Sequence, residues 1–118
     1  MRSIMILYEN NSSKHIHASC VAKDGNAIMF VGPSGSGKST HCWKLLQHGY
    51  KLIADDVVQI TQDYICSAVQ ENKGLLHLRN TGMQRLPANQ ITPSAKLKCI
   101  IRLNRDQPPS ISYQFLNN

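Results

Sequence analysis

What this sequence lacks narrows its class before any motif is read. None of its apolar runs reaches the roughly 20 residues of a helical membrane span. The apolar opening, Met1 to Tyr8, is too short for a secretory signal, and no small-residue cleavage site follows it. A soluble, cytoplasmic protein with no membrane partner is expected. No Cys-x-x-Cys occurs. Cys20, Cys42, Cys66 and Cys99 lie far apart, each in an apolar segment, which reads as buried free thiols rather than a zinc site. His15-x-His17 alone is a weak metal pattern. Acidic residues are scarce: 7 Asp and Glu face 13 Lys and Arg, a net charge of +6. The basic residues are scattered, with no stripe interleaved with aromatics. The excess therefore predicts a solvated surface biased toward anionic ligands, not a nucleic-acid site. No internal repeat or low-complexity tract occurs. The 118 residues, 42% of them hydrophobic, suit one domain over 1–118.

One stretch organises the rest. Gly32-Pro33-Ser34-Gly35-Ser36-Gly37-Lys38-Ser39-Thr40 fits G-x-x-x-x-G-K-[ST], the phosphate-binding loop. Its glycines let the backbone turn tightly and approach a polyphosphate closely. Successive N–H groups then point into one concavity, and the next helix adds its positive N-terminal end. Lys38 would reach the β- and γ-phosphates, and the Ser39 hydroxyl would ligate Mg²⁺. The context agrees. An apolar run of strand length, Asn26 to Val31, precedes the loop. Gly37 to His48 follows with apolar residues at helical spacing, and Gly49 suits a helix stop.

Along the chain, Ser3–Tyr8 reads as a strand. Lys14–Ala22 reads as a second, with Ile16, Ala18, Cys20 and Ala22 on one side and His15, His17, Ser19 and Val21 on the other. Asp24-Gly25 signals a hairpin turn into Ala27–Val31. After the helix, short strands are expected at Tyr50–Ala54, Val57–Thr61, Tyr64–Val69 and Leu75–Arg79. Asn80–Ser94, with Gly82, Pro87 and Pro93, reads as irregular. Lys96–Leu103 is a strand with an apolar centre, and Ile111–Leu116 an edge strand after a Pro108-Pro109 loop. The expected fold is α/β: a strand-rich mixed sheet around one central helix.

Asp55-Asp56 ends the strand that follows the phosphate-loop helix. Such a strand can return beside the loop and bring both carboxylates near the γ-phosphate and Mg²⁺. Phosphoryl transfer needs a metal ligand and a group that orients or deprotonates the acceptor. Neighbours on a strand face opposite ways, so the two aspartates cannot share one role. A solvated turn is the plainer alternative. From residues alone, His17 is a strand histidine of no special interest.

The run Gly32-x-Ser34-Gly35-x-Gly37-Lys38-Ser39, then Leu45-Leu46-x-x-Gly49-Tyr50-x-Leu52-Ile53-Ala54-Asp55-Asp56, resembles the catalytic domain of HPr kinase/phosphorylase. The likeness continues without gaps from His17 to Ile60, and His17-Ala18-Ser19-Cys20-Val21 is similar to the family's H-G-V-L-V. The resemblance implies a phosphoenolpyruvate-carboxykinase-like phosphate-loop fold. It implies a kinase that uses ATP and Mg²⁺ and transfers the γ-phosphoryl group to a hydroxyl of a protein or peptide. It also suggests a homo-oligomer. By the resemblance, Asp55 is the acid/base that activates the acceptor, Asp56 is its acidic neighbour at the metal with Ser39, and His17 stands near the catalytic aspartate. Gly32, Ser34, Gly35, Ser36, Gly37, Lys38, Ser39 and Thr40 hold the nucleotide, with Lys38 also catalytic. The sequence departs from the family at Leu76-His77-Leu78-Arg79-Asn80, where the family has L-E-V-R-G. Imidazole is a poorer Mg²⁺ ligand than the carboxylate. The family also continues through helices and a basic loop, whereas this sequence ends at Asn118. Both departures favour the alternative of a non-catalytic ATP-binding sensor or partner-binding module. A small-molecule kinase of the same fold is a third reading.

Overall fold

The computed structural model describes residues 13–78, 81–104 and 111–116. The strand expected at Ser3–Tyr8 and the basic position Arg79 lie outside them. In chain order the strands are β1 (Lys14–His17), β2 (Ser19–Lys23), β3 (Asn26–Val31), β4 (Lys51–Ala54) and β5 (Val57–Ile60). They continue with β6 (Ile65–Ala68), β7 (Leu75–Leu78), β8 (Gly82–Arg85), β9 (Ser94–Leu103) and β10 (Ile111–Phe115). The helix, α1, spans Lys38–Leu46, between β3 and β4. The result is mixed α/β and strand-rich, as the residue pattern implies.

Asp24 and Gly25 both take positive φ, 53° and 78°, and turn β2 into β3 as their dipeptide predicts. β3 lies antiparallel to β2 and parallel to β9. The main sheet runs β1-β5-β6-β9-β3-β2-β4, with β10 beside β9, while β7 and β8 form a separate hairpin. β4 and β6 are far apart in that order yet pack together, so the sheet curls. Small side chains permit the curl: Ala18, Cys20, Ala22, Ala54 and Ala95 sit in the core between its strands, with Met29, Ile60 and Leu97. The opposite face carries Val21, Phe30, Leu52 and Leu103, which α1 covers with Cys42 and Leu46 and the β7–β8 region with Leu76. Ser19–Ala22 is buried on both faces, with Cys20 and Ala22 in one core and Val21 in the other.

Three expectations need correction. The strand expected over Lys14–Ala22 is broken at Ala18 into β1 and β2, because the β4–β5 segment that pairs with it turns at Asp55–Asp56; Ala18 N–H there donates to Asp56 O at 3.2 Å. Asn80–Ser94 is not wholly irregular: it holds β8 and one 3₁₀ turn, Ala88–Gln90. There, cross-strand pairing with β7 overrides the weak local pattern. α1 is shorter than Gly37–His48, because Gly37 is its left-handed N-cap (φ 99°) and Gly49 (φ 88°) turns the chain toward β4. All four cysteines are buried and free, as expected. Among the described residues no helix is long and apolar enough to cross a membrane.

Candidate functional site

The loop is seated by β3 and β9. A Cβ at Gly32 (φ 153°) would stand 2.5 Å from the Leu103 carbonyl oxygen at the end of β9. Only glycine lets the loop leave β3 there. Ser36 N–H donates to Pro33 O at 3.1 Å and closes the turn, with Gly35 at φ 82°. The helical ladder begins with His41 N–H to Gly37 O at 2.9 Å, so the amides of Lys38, Ser39 and Thr40 precede it. Such amides, at the positive end of a helix, are anion donors. Lys38, 8% exposed, folds back over the loop and donates to Gly32 O (2.8 Å) and Pro33 O (3.1 Å). The Ser36 hydroxyl is buried with no protein partner.

Asp55 is buried, and its carboxylate is surrounded by donors. Ser39 Oγ lies 2.7 and 3.0 Å from its two oxygens. Ser19 Oγ donates to Oδ1 at 2.5 Å, and the His77 backbone N–H donates to Oδ2 at 2.8 Å. Its negative charge reaches the Cys42 thiol, whose pKa burial first and Asp55 second hold well above the ordinary thiol range. Asp56 is the opposite case. Val57 N–H donates to Asp55 O at 2.9 Å, and Asp56 has φ 74°. That is a γ-turn with a left-handed centre, a rare and strained conformation outside glycine. The turn swings the Asp56 side chain out to solvent, where Oδ1 lies 3.4 Å from His17 Nδ1; both side chains are more than half exposed.

Both arrangements open on one cavity of about 600 Å³. Ser34, Gly35, Gly37, Lys38, Ser39 and Thr40 form its loop side, and His17, Ser19, Asp55 and Asp56 its sheet side. Gly32 and Ser36 shape the loop from behind. The remaining wall comes from Asn72, Leu75, His77 and Met83, at or near the β7–β8 hairpin. No group of three or more His, Cys, Asp or Glu side chains among the described residues converges as a metal site.

The model of the HPr serine kinase C-terminal domain matches residues 9–117. The chain belongs to that family. It is 31% identical over 101 residues to the HPr kinase/phosphorylase of Geobacillus thermodenitrificans, covering 79% of this chain and 33% of that protein. It is 32% identical over 103 residues to the HPr kinase/phosphorylase of Lactobacillus johnsonii, covering 80% of this chain and 32% of that one. The chain thus spans about a third of the length of these curated relatives. Among solved structures, the HPr(Ser) kinase/phosphatase of Coxiella burnetii superposes with a TM-score of 0.69 at 21% identity, covering 75% of this chain and 64% of that one; the likeness is one of fold.

Within this HPr kinase C-terminal domain, the site contains residues that the sequence reading passed over, Ser19 and Met83 among them. Ser19 read as one polar residue on an alternating strand. A hydroxyl beside apolar Cys20 and Val21, in the segment antiparallel to the one ending at Asp55-Asp56, is the signal that was available. Met83 gave none, because its place depends on the hairpin register that pairs it with His77. His77 contributes its backbone N–H to Asp55, a contact open to any residue but proline.

Proposed function

We propose that the chain binds ATP and Mg²⁺ and transfers the γ-phosphoryl group to a hydroxyl of a protein or peptide, on a phosphoenolpyruvate-carboxykinase-like phosphate-loop fold in the cytoplasm. The observation that carries the reading is the division of labour between adjacent aspartates. Asp55 is bound to the loop's Ser39, and Asp56 is free to meet an acceptor beside His17. The donor set fits the groups implied. Ser39 Oγ and one carboxylate are hard oxygen ligands of the kind Mg²⁺ takes alongside substrate phosphates. The unpartnered Ser36 hydroxyl and the first amides of α1 suit phosphate oxygens.

When bound, the nucleotide supplies the phosphoryl group and the cation neutralises its charge. The protein's part is positioning. Loop amides and Lys38 hold the phosphates, Ser39 and Asp55 hold the cation, and Ser19 with the His77 amide fixes the Asp55 carboxylate. The geometry favours exchanging the roles that the resemblance gives the two aspartates. Asp55 has both oxygens turned inward on donors, whereas Asp56 presents an exposed carboxylate that His17 can orient. Asp56 then takes the acceptor's proton, which needs hydrogen-bond reach and no competing donors. The curated relatives are named for the protein HPr, and on this reading the acceptor here is likewise a polypeptide hydroxyl.

Calorimetry with ATP and Mg²⁺, followed by transfer of labelled phosphate to candidate proteins and peptides, tests the proposal. Asp56→Asn is expected to slow transfer on the order of 10²–10⁴-fold with nucleotide affinity unchanged. Asp55→Asn is expected to weaken Mg²⁺-dependent binding. An active Asp56→Asn protein would return the base to Asp55. A native chain that binds no nucleotide would end the reading altogether. His77, standing where the resemblance implies a carboxylate, favours the second reading, a nucleotide-binding module without transfer. Binding without any labelled product would establish that reading.

A further inference from the structure

A second concavity lies on the helix side of the sheet, running from the Asn26 end of β3 along β9 to Ile101, which pairs with Phe30. α1 packs chiefly over β2 and β4, and among the described residues the part of this face around Ile28, Ile101 and Tyr113 lies bare. The bare part is a trough of about 610 Å³. Ile28 and Ile101 form its floor and continue the core beneath α1; Tyr50, Tyr113 and Phe115 form its walls. Tyr113 and Phe115 are 59% and 66% exposed and meet edge to face, with ring centroids 5.4 Å apart. Exposed aromatics gathered on one concave patch mark an interaction surface.

The rim defines the partner's charge. Lys23 and Lys98 stand over the trough, with Asp24 the single acidic residue among those lining it. Lys23 is held in place: its Nζ donates to His48 O at 3.2 Å and lies 5.6 Å from the Tyr50 ring centroid. The strand beside the trough defines the partner's shape. Among the described residues β10 pairs with β9 alone. Its sequence, Ile111-Ser112-Tyr113-Gln114-Phe115, carries none of the charges or prolines that guard exposed sheet edges.

We propose that β10 and this trough dock an extended acidic segment of a partner polypeptide. The segment adds a strand to β10 through main-chain hydrogen bonds. Its alternate apolar side chains enter the trough, and acidic residues between them or flanking them meet Lys23 and Lys98. No residue that lines the trough lines the phosphate cavity, so docking and nucleotide binding are separable.

The test uses the full chain and two labelled probes: a strand-length peptide alternating Leu or Phe with Glu, and its counterpart with Lys for Glu. Fluorescence anisotropy should show the acidic peptide binding at least about tenfold more tightly than the basic one. Amide shifts in the NMR spectrum should concentrate at residues 23–28, 98–101 and 112–116. Phe115→Lys and Lys98→Glu should each weaken binding about tenfold or more while ATP affinity and the melting temperature stay unchanged. Equal binding of both peptides, binding that survives both substitutions, or no binding of either would overturn the proposal. So would sedimentation showing a native dimer that Phe115→Lys dissociates, which would make a second copy the occupant. Binding to anionic vesicles that Phe115→Lys abolishes would overturn it in favour of a lipid surface.

Discussion

Gly32 meets a constraint no other residue can. Its missing side chain is where the Leu103 carbonyl stands, and that carbonyl is backbone and cannot swing away. Gly32→Ala is expected to cost at least about 2 kcal/mol, read by denaturant unfolding, and to weaken nucleotide binding by shifting the loop. Ser19 is constrained through chemistry instead. Removing its hydroxyl takes one donor from a buried carboxylate, so Ser19→Ala should destabilise the fold by about 1–3 kcal/mol. It should also weaken Mg²⁺-dependent ATP binding more than Mg²⁺-free binding, a split that a purely structural loss would not produce. At this scale the sequence was legible where chemistry sits in one contiguous motif. Lys38 and Ser39 could be named from spacing alone. Spacing located the aspartate pair, and only the family resemblance divided it between roles. The inward placement of Asp55 and the outward placement of Asp56 depend on a turn at Asp56 and on two long-range partners, Ser19 and the His77 amide, which local spacing does not reveal.

Among the elements, the β7–β8 hairpin has the most to hold with the least. It lies outside the main sheet, and Leu76 is its fully buried anchor against α1. Leu76→Ala should cost about 2–5 kcal/mol and raise hydrogen exchange in β7 and β8 before the main sheet, because the site wall loses its anchor. The elements themselves were largely readable. Asp24-Gly25, the apolar run before the loop, and the helix bounded by glycines all carry local signals. Two features were not. The break at Ala18 is imposed by the opposite chain at Asp56, and β8 exists because β7 pairs with it, despite Gly82 and a polar pattern. Both are contacts between segments distant in sequence or weak in local pattern.

At the scale of the whole molecule, the buried thiols are expected to make stability depend on alkaline pH. The pKa of Cys20 is raised well above the ordinary thiol range by its hydrogen bond with Cys66 and by burial, and that of Cys42 by burial and by Asp55. In the unfolded chain these thiols lose their protons first, near an ordinary value of about 8.5. Their contribution to stability is therefore complete below that pH and declines as pH rises above it, by at most about 1.4 kcal/mol per unit for each thiol. Melting temperatures measured from pH 7 to 10 should fall on the alkaline side, and the fall should be shallower in Cys42→Ala. Native protein should also resist iodoacetamide at Cys20 and Cys42 until denatured, because neither is exposed as a thiolate. The curled sheet was the least legible feature. Its closure depends on small residues such as Ala22 and Ala54, which any strand pattern tolerates but none demands.

The turn at Asp56 sets robustness and chemistry against each other at one position. Glycine takes a left-handed backbone freely, whereas alanine at the same place costs roughly 1–2 kcal/mol more. Asp56→Gly should therefore melt above Asp56→Ala by about that margin, although both lack the carboxylate. A search for hardier versions of this protein would drift toward glycine at 56 and, on the proposed mechanism, lose phosphoryl transfer on the way. An aspartate at so strained a turn is thus what the proposed role requires and what folding alone would not favour.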